Sequence, residues 1–244
     1  MARIIERSSD LKRQYRVYQL LRILFVLGGV ISCCLALVSL FIPIVMGVMV
    51  LIALICFFLA GYASKQCNVY RTGVNGEDEA AEIVAQLPEG YYGFQNVKVT
   101  FDGKTSELDM VVVGQTGVFV IETKNMNGTI EGNTSEAYWE QHKVGRGGTP
   151  YSNQFYSPVK QVGTHVYRLA NYLRRNRIQV RVEAMVFFAN PETKIYIQGE
   201  QEKIPVYSMS DKGAYRVCQR ILEGTANLPV KKVKEICRVI HRSR

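Results

Sequence analysis

From Ile23 to Ser64 the chain contains no charged residue, and this gap constrains its fold more than any other feature. About 20 apolar residues span the hydrocarbon core of a bilayer. The run is too long for one such helix and suits two, broken near Pro43, whose ring and missing N–H disfavour a helix interior. The pattern predicts spans at about 23–42 and 44–63, joined by a tight turn as a hairpin or re-entrant pair. A hairpin buried inside a soluble protein is the competing explanation, but apolarity on every helix face favours lipid. The length of the run, and the lack of a small-residue cleavage site after a short first stretch, argue against a secretory signal peptide.

Flanking charge sets the orientation. Arg3, Arg7, Lys12, Arg13, Arg16 and Arg22 precede the run, and Lys65 and Arg71 follow it. A hairpin returns both flanks to one side, and positive flanks favour the cytoplasm. The expectation is a multi-pass cell-membrane protein with a basic cytoplasmic N-terminus (1–22), a membrane hairpin in the lipid bilayer (23–63), a linker (64–72) and a cytoplasmic C-terminal part. Anionic headgroups are the favoured partner of the N-terminal cations, ahead of nucleic acid. The cysteines show neither CxxC spacing for zinc nor a disulfide pattern.

The remainder reads as an α/β domain over 73–208 followed by basic helices over 209–244. Gly73–Gly76 predicts a loop, and Glu77–Leu87 a helix with apolar positions Ala80, Ala81, Ile83, Val84 and Leu87. Strands are predicted at Tyr91–Thr100, at 105–113 and 118–124 as a hairpin, at Thr129–Glu131 and at Ala137–Lys143. Gly145–Pro150 reads as loop and Ser157–Arg175 as an amphipathic helix. A buried strand over Gln179–Ala189, short strands near 194–197 and 204–208, and helices at about 211–223 and 228–241 complete the order. This is a mixed sheet flanked by helices rather than a regular βαβ repeat.

The hairpin carries the chemistry. Gly114-Gln115-Thr116-Gly117 is the turn signal between two β-rich runs. An even-length loop centred there pairs Val113 with Val118 and, further along, Asp109 with Glu122. Directly opposed residues share a face, and the two-residue repeat adds Lys124 to it. Val111, Val113, Val118 and Val120 share that face, while Met110, Val112, Phe119 and Ile121 take the other. Ionisable groups at the end of such an apolar sheet are costly unless paired or metal-bound. A Glu122–Lys124 or Asp109–Lys124 ion pair is the purely structural explanation. The functional one is a divalent cation held by carboxylates, with an ammonium beside the reacting group.

At these residues the chain resembles the nuclease-related domain (NERD) family, a branch of the PD-(D/E)xK nuclease-like superfamily. The matching pieces are Gly73-Val74-Asn75-Gly76-Glu77, Ser106-Glu107-Leu108-Asp109-Met110-Val111-Val112-Val113 and Gly117-Val118-Phe119-Val120-Ile121-Glu122-Thr123-Lys124-Asn125. Gly128-Thr129-Ile130, Trp139 and Ser157-Pro158-Val159-Lys160-Gln161 follow in order. The resemblance covers roughly Gly73 to Leu173. Leu108 and Thr123 depart from the family's commoner Ile and Val without touching an ionisable group. The resemblance implies a restriction-endonuclease-like sheet. It implies that Asp109 and Glu122 ligate Mg²⁺ or Mn²⁺ with Glu77 completing the acidic cluster, that Lys124 orients the attacking water, and that Gln161 lines the site. The implied function is metal-dependent hydrolysis of phosphodiester bonds in DNA, or less readily RNA, on the cytoplasmic membrane face. The alternatives are a catalytically inactive nucleic-acid-binding or scaffolding module tethered to the membrane, and a purely membrane-structural or regulatory protein whose acids are solvated.

Other residues weigh differently. Glu77, Asp78, Glu79 and Glu82 all begin the first predicted helix, where negative charge is favourable in itself, so Glu77 is singled out by the resemblance alone. Glu107 shares Asp109's predicted face and is either an outer acid of the site or a solvated strand-end charge. Gln161, His165 and Arg168 share one helix face by i, i+4, i+7 spacing, which is also how a polar surface looks. His142 reads as structural or exposed. Trp139, Tyr138, Tyr151, Phe155 and Tyr156 with Lys143 and Arg146 suit either a stacking surface or, for Trp139 above all, core packing. Gly145–Gly148 lacks the Lys-Ser/Thr that ends a phosphate-binding P-loop. Arg174, Arg175, Arg177 and Arg181, and the tail Lys231, Lys232, Lys234, Arg238, Arg242 and Arg244, are basic runs of the kind that form solvated faces or contact membranes. With the acid cluster they favour a nucleic-acid substrate.

Overall fold

The Gly114–Gly117 turn fixes the register on which the central sheet is built. In a computed structural model of the chain, which describes residues 1–5, 10–145 and 147–243, strand β3 (Lys104–Gly114) pairs antiparallel with β4 (Gly117–Lys124). Gly114 faces Gly117, and Val113 faces Val118, as the turn predicts. Gly117 sits at φ +147°, a region that L side chains rarely adopt. Arg7, Arg146 and Arg244 lie outside the described residues.

Around this hairpin lies a six-stranded mixed sheet in the order β1-β2-β3-β4-β8-β10. Its other members are β1 (Arg3–Ile5), β2 (Tyr92–Phe101), β8 (Val182–Phe188) and β10 (Val206–Ser208). The outer pairs β1·β2, β4·β8 and β8·β10 are parallel, and β2·β3·β4 is an antiparallel meander. A second sheet orders β7 (Pro150–Tyr156), β6 (Tyr138–Val144), β5 (Thr129–Asn133) and β9 (Lys194–Gln198).

Helices cover both faces of the six-stranded sheet. On one face, α3 (Pro158–Arg175) and α5 (Val230–Arg242) bury Val162, Leu169, Leu173, Val233, Ile236 and Ile240 against Val111, Val113, Val118 and Val120. On the other, the last turns of α2 (Pro43–Ala85) and α4 (Gly213–Leu222) bury Ile83, Val84, Val217 and Ile221 against Met110, Val112, Phe119 and Ile121. The two apolar faces expected of the hairpin are the two cores. Full burial of a side chain of this size is worth about 1.5–3 kcal/mol. Trp139 is buried in the first core, and its Nε1 donates to Asn133 O at 2.8 Å.

Several expected boundaries move. The 64–72 linker and the Gly73–Gly76 loop are helical, because α2 runs unbroken from Pro43 to Ala85. A glycine in a helix costs about 1 kcal/mol, but here the glycines let elements approach closely. A Cβ on Gly73 would lie 3.1 Å from Leu11 Cδ1, and one on Gly76 would lie 2.8 Å from Asn125 Cβ. The basic N-terminal segment is not wholly separate from the sheet. Arg3–Ile5 adds a parallel edge strand to β2, held by Ala2 N–H donating to Leu87 O at 2.8 Å and Arg3 N–H to Tyr91 O at 3.0 Å. The C-terminal helices α4 and α5 contribute to both cores and belong to the same unit as the sheet. Strand β7, expected to be loop at Pro150, has too polar a sequence to show a two-residue apolar repeat.

Two compact units result, Met1–Arg7 with Asn75–Arg244, and Ser8–Val74. The second holds α1 (Asp10–Val38) and most of α2, which begins with Pro43 in the first turn, where a proline is tolerated. Both helices are long and apolar enough to cross a membrane, and only 17% and 11% of their apolar windows is buried within the protein. Helix α1 starts well before the expected 23 and stops at Val38, short of 42, while α2 starts at Pro43 and runs on well past 63, because the polar flanks on either side of the apolar run are helical too.

Candidate functional site at the fork between β3 and β4

Beyond the Met110–Ile121 pair the two hairpin strands part. From there β3 stays with β2, and β4 stays with β8, where Glu122 faces Val186 and Lys124 faces Phe188. The fork opens where the alternation of β3 is interrupted. Phe94, Val97, Leu108 and Val111 all face the first core, whereas Met110, two residues from Leu108, faces the second. The switch falls at Asn96 and Asp109, which lie between the Gln95–Met110 and Val97–Leu108 pairs, and Asn96 takes φ +53°. Asp109 then bridges the fork, its Oδ2 accepting the Thr123 N–H at 2.8 Å.

The same switch removes Glu107 from Asp109's face. Strict alternation puts the two together, but Glu107 instead pairs with its cross-strand neighbour Lys98 at 3.6 Å.

Glu122 is 1% exposed at the fork. Lys124 Nζ donates to Glu122 Oε1 at 2.7 Å and to Gln161 Oε1 at 3.0 Å. Gln161 is placed by the start of α3. Ser157, itself buried, donates its N–H to Ala137 O at 2.8 Å and accepts from Lys160 N–H at 3.4 Å, with Pro158 in the first turn. One turn further on, His165 Nδ1 lies 3.4 Å from Glu122 Oε2. Arg168 Nη1 then donates to Ser106 Oγ. The polar row of α3 therefore lies along the fork. His165 carried the weaker signal in the sequence, and its i+4 spacing from Gln161 was the clue. The role of Thr123 comes from its backbone N–H, which no side-chain motif reveals.

Glu77 is buried on α2, whose end packs on the opposite face of the sheet, and its carbonyl accepts from Gln95 Nε2 at 3.2 Å. Its neighbour Gly76 lies against Thr123 and Asn125, at the end of β4. Glu77 is thus far along a 43-residue helix, so charge at a helix N-terminus does not account for it or for Asp78, Glu79 and Glu82.

Burial dominates the electrostatics. Asp109 is pushed up to about 8 by desolvation and then by the charge of Glu122, against the pull of Lys124 and the Thr123 N–H. Glu122 is raised by desolvation, against the charge and hydrogen bond of Lys124. His165 is lowered to about 4 by desolvation first, then by Lys124 and Arg168, and is neutral at physiological pH. Two acids held above their ordinary range, beside one ammonium, form a site that would gain from a further positive charge.

The donor set limits what cation could enter. Among the described residues no group of three or more His, Cys, Asp or Glu is arranged to hold a metal ion. Glu122 Oε2, however, is buried and accepts no hydrogen bond, and Asp109 lies at the same fork. A pair of carboxylates fits Mg²⁺ or Mn²⁺ that keeps several waters, and does not fit an all-protein cage.

The other aromatic and basic candidates lie elsewhere. Trp139 and Phe155 pack edge-to-face in the core, with ring centroids 6.3 Å apart, while Tyr138 and Tyr156 meet at 6.0 Å on the exposed side of the second sheet. His142 lies between Glu131 and Glu140, 3.6 and 3.7 Å away.

Residues 72–189 match the model of the nuclease-related domain (NERD) family. An uncharacterized protein of Bacillus anthracis is 37% identical over 92 residues, which is 37% of this chain and 43% of that protein's length. The crystal structure of protein VC1899 from Vibrio cholerae aligns with 91% of this chain and 59% of its own, at 12% identity and a TM-score of 0.35.

Proposed function

We propose, from the premise that residues 72–189 carry a nuclease-related domain, that this is a membrane-anchored, metal-dependent phosphodiesterase with a restriction-endonuclease-like sheet, acting on DNA ahead of RNA. The observation that carries the reading is the fork, where Asp109, Glu122, Lys124 and Gln161 meet around a buried carboxylate oxygen without a hydrogen bond. In this reading Asp109 and Glu122 hold Mg²⁺ or Mn²⁺, and Glu77 completes the acidic set from the opposite layer. The bound cation would supply a more acidic water and charge compensation at the phosphate. Lys124, anchored by Glu122 and Gln161, orients the attacking water and offsets negative charge as the bond to phosphorus forms. Gln161 fixes the ammonium, and neutral His165 keeps bulk water from Glu122.

Two observations support the anchoring. Most large apolar side chains of α1 and α2 are exposed, Leu24 at 62% and Phe58 at 77% among them. Strand β1 lies in the same sheet as β2, so the N-terminus and the catalytic unit share one side of any membrane and the number of crossings is even. Flanking cations then favour the cytoplasm for that side.

The second reading, a binding module without catalysis, draws on the Lys124–Glu122 contact, which already neutralises one acid. Titration of Mg²⁺ and Mn²⁺ into the full chain in neutral detergent, with supercoiled, linear and single-stranded substrates, separates the two. Metal-dependent cleavage that disappears in Asp109→Ala and in Lys124→Ala supports catalysis. Salt-sensitive binding without cleavage under either metal supports the module.

A further inference from the structure

Helix α3 starts at the fork and ends in a cluster of arginines that the catalytic reading does not use. Its sequence contains Lys160, Arg168, Arg174 and Arg175 and no acidic residue. Just beyond it come Arg177 and Arg181. Arg174, Arg175, Arg177 and Arg181 are exposed, and among the described residues none of them forms an ion pair with a carboxylate. Arg174 and Arg181 line a groove of about 520 Å³ with Ala170, Ile178, Gln179 and Val180. Some cations elsewhere on the same unit are paired. Arg220 contacts Glu183 at 2.9 Å, Arg216 contacts Asp211 at 3.0 Å and Lys232 contacts Glu235 at 3.0 Å. Unpaired guanidinium groups around an open groove suit phosphate oxygens, which match the planar fork of Arg.

Between Gln161 and Arg174 in the sequence of α3 stands an exposed aromatic residue, Tyr167. Tyr167 is 61% exposed and packs edge-to-face on Phe101 at 5.9 Å, and the Arg175 guanidinium lies 5.9 Å from the Phe101 ring centroid. Exposed rings beside cations offer unpaired bases a stacking surface.

We propose that the groove lined by Arg174 and Arg181 binds the phosphate backbone of the nucleic-acid strand whose scissile bond sits at the fork, with Tyr167 as a stacking step between them. The inference takes the nature of its occupant from the proposed function. Thirteen helical positions separate Gln161 from Arg174, about 20 Å at the α-helical rise. That distance matches about six phosphates of a stacked strand. The groove is therefore a second anchor that sets how far the substrate must extend from the cleavage point.

The test is equilibrium binding of fluorescein-labelled single strands of 3 to 20 nucleotides to the full chain in neutral detergent. EDTA is present, so that binding is measured apart from cleavage. Affinity should climb steeply once the strand exceeds about six nucleotides and then level off. Arg174→Ala with Arg181→Ala should weaken binding of a 15-mer roughly ten- to thirtyfold at about 0.1 M salt and lower the log–log salt slope by about 1.4. Both residues are exposed, so an unchanged melting temperature is expected. The control is Lys231→Ala with Lys234→Ala on α5, which removes the same charge elsewhere and should leave the length step in place. Unchanged affinity and slope in the Arg174/Arg181 variant, or an equal loss in the α5 variant, overturns the groove. A protein that binds with the expected length step and never cleaves refutes the catalytic reading and leaves the groove standing.

Discussion

Replacing Asp109 with Asn makes the electrostatic account of the fork measurable. Asn keeps a carbonyl oxygen for the Thr123 N–H and removes the charge that competes with Glu122. In the native chain Asp109 is pushed up to about 8, against an ordinary value of about 3.9 in the unfolded chain. A raised folded value means the group's contribution to stability is fully present below the unfolded value and is lost as pH rises through the folded one. Between pH 6.5 and pH 9 the metal-free protein should lose about 2 kcal/mol from this group. His165, lowered to about 4, is neutral in the folded protein across that window and contributes only about 0.4 kcal/mol, at its lower edge, where the unfolded imidazole is half protonated. Its own effect lies lower, where stability present above about 6.5 falls away as pH drops towards its folded value. Asp109→Asn should therefore shrink the loss of stability between pH 6.5 and pH 9 by about 2 kcal/mol, or roughly 4–8 °C in melting temperature. Glu122, also raised, leaves a residual slope. Trp139 is the only tryptophan of the chain and is buried in the same unit, so its fluorescence reports the transition. Melts of the full chain in EDTA and neutral detergent provide the measurement. A variant with the parent's pH dependence refutes the reasoning, because Asp109 would then ionise as freely in the folded protein as in the unfolded one.

Other outcomes follow from the same geometry. Lys124→Met should cut cleavage by about 10²–10³-fold, the usual cost of losing one electrostatic group at a reacting centre, measured on preparations whose melts show the variant folded. Gly76→Ala, whose new Cβ would lie 2.8 Å from Asn125 Cβ, should destabilise the unit that holds the six-stranded sheet by about 1–3 kcal/mol, read from Trp139 fluorescence; an unchanged melt argues against the close approach. Magnesium affinity measured by calorimetry should rise with pH up to about 8, because the ion competes with the proton that Asp109 holds; a flat profile removes Asp109 from the ligand set. Single cysteines placed at Ala2 and at Glu202 should react with an impermeant maleimide from the same side of a sealed vesicle; opposite sidedness contradicts two crossings.

Much of the fold was legible because its strongest signals are local. Gly114–Gly117 sets one register, and that register assigns Val111, Val113, Val118 and Val120 to one core and Met110, Val112, Phe119 and Ile121 to the other. Glycines misled where packing outweighed propensity. Gly73 and Gly76 read as loop, yet they are the thin points of a long helix. Strand β1 was hidden because three residues ahead of a basic segment carry no periodicity, and its partner strand is distant in sequence. At the fork, alternation paired Asp109 directly with Glu122 and put Glu107 on their face, whereas the β3·β4 ladder ends at Met110–Ile121 and Asp109 accepts from Thr123 N–H instead, because the interruption at Asn96 and Asp109 has no side-chain signature. The helical spacing of Gln161, His165 and Arg168 was visible, but a polar row looks the same facing water or facing a buried acid. Only the packing of α3 on the sheet separates the two.

If the two acids of the fork hold the cation that cleavage requires, Glu122→Gln removes bound ion and activity together. Manganese binding by electron paramagnetic resonance and cleavage of linear DNA are measured on the same preparation of the full chain. One bound ion per parent chain, no tight binding in the variant, and cleavage reduced by at least about 100-fold are expected. A variant that binds the ion and cuts DNA as the parent does would contradict this assignment.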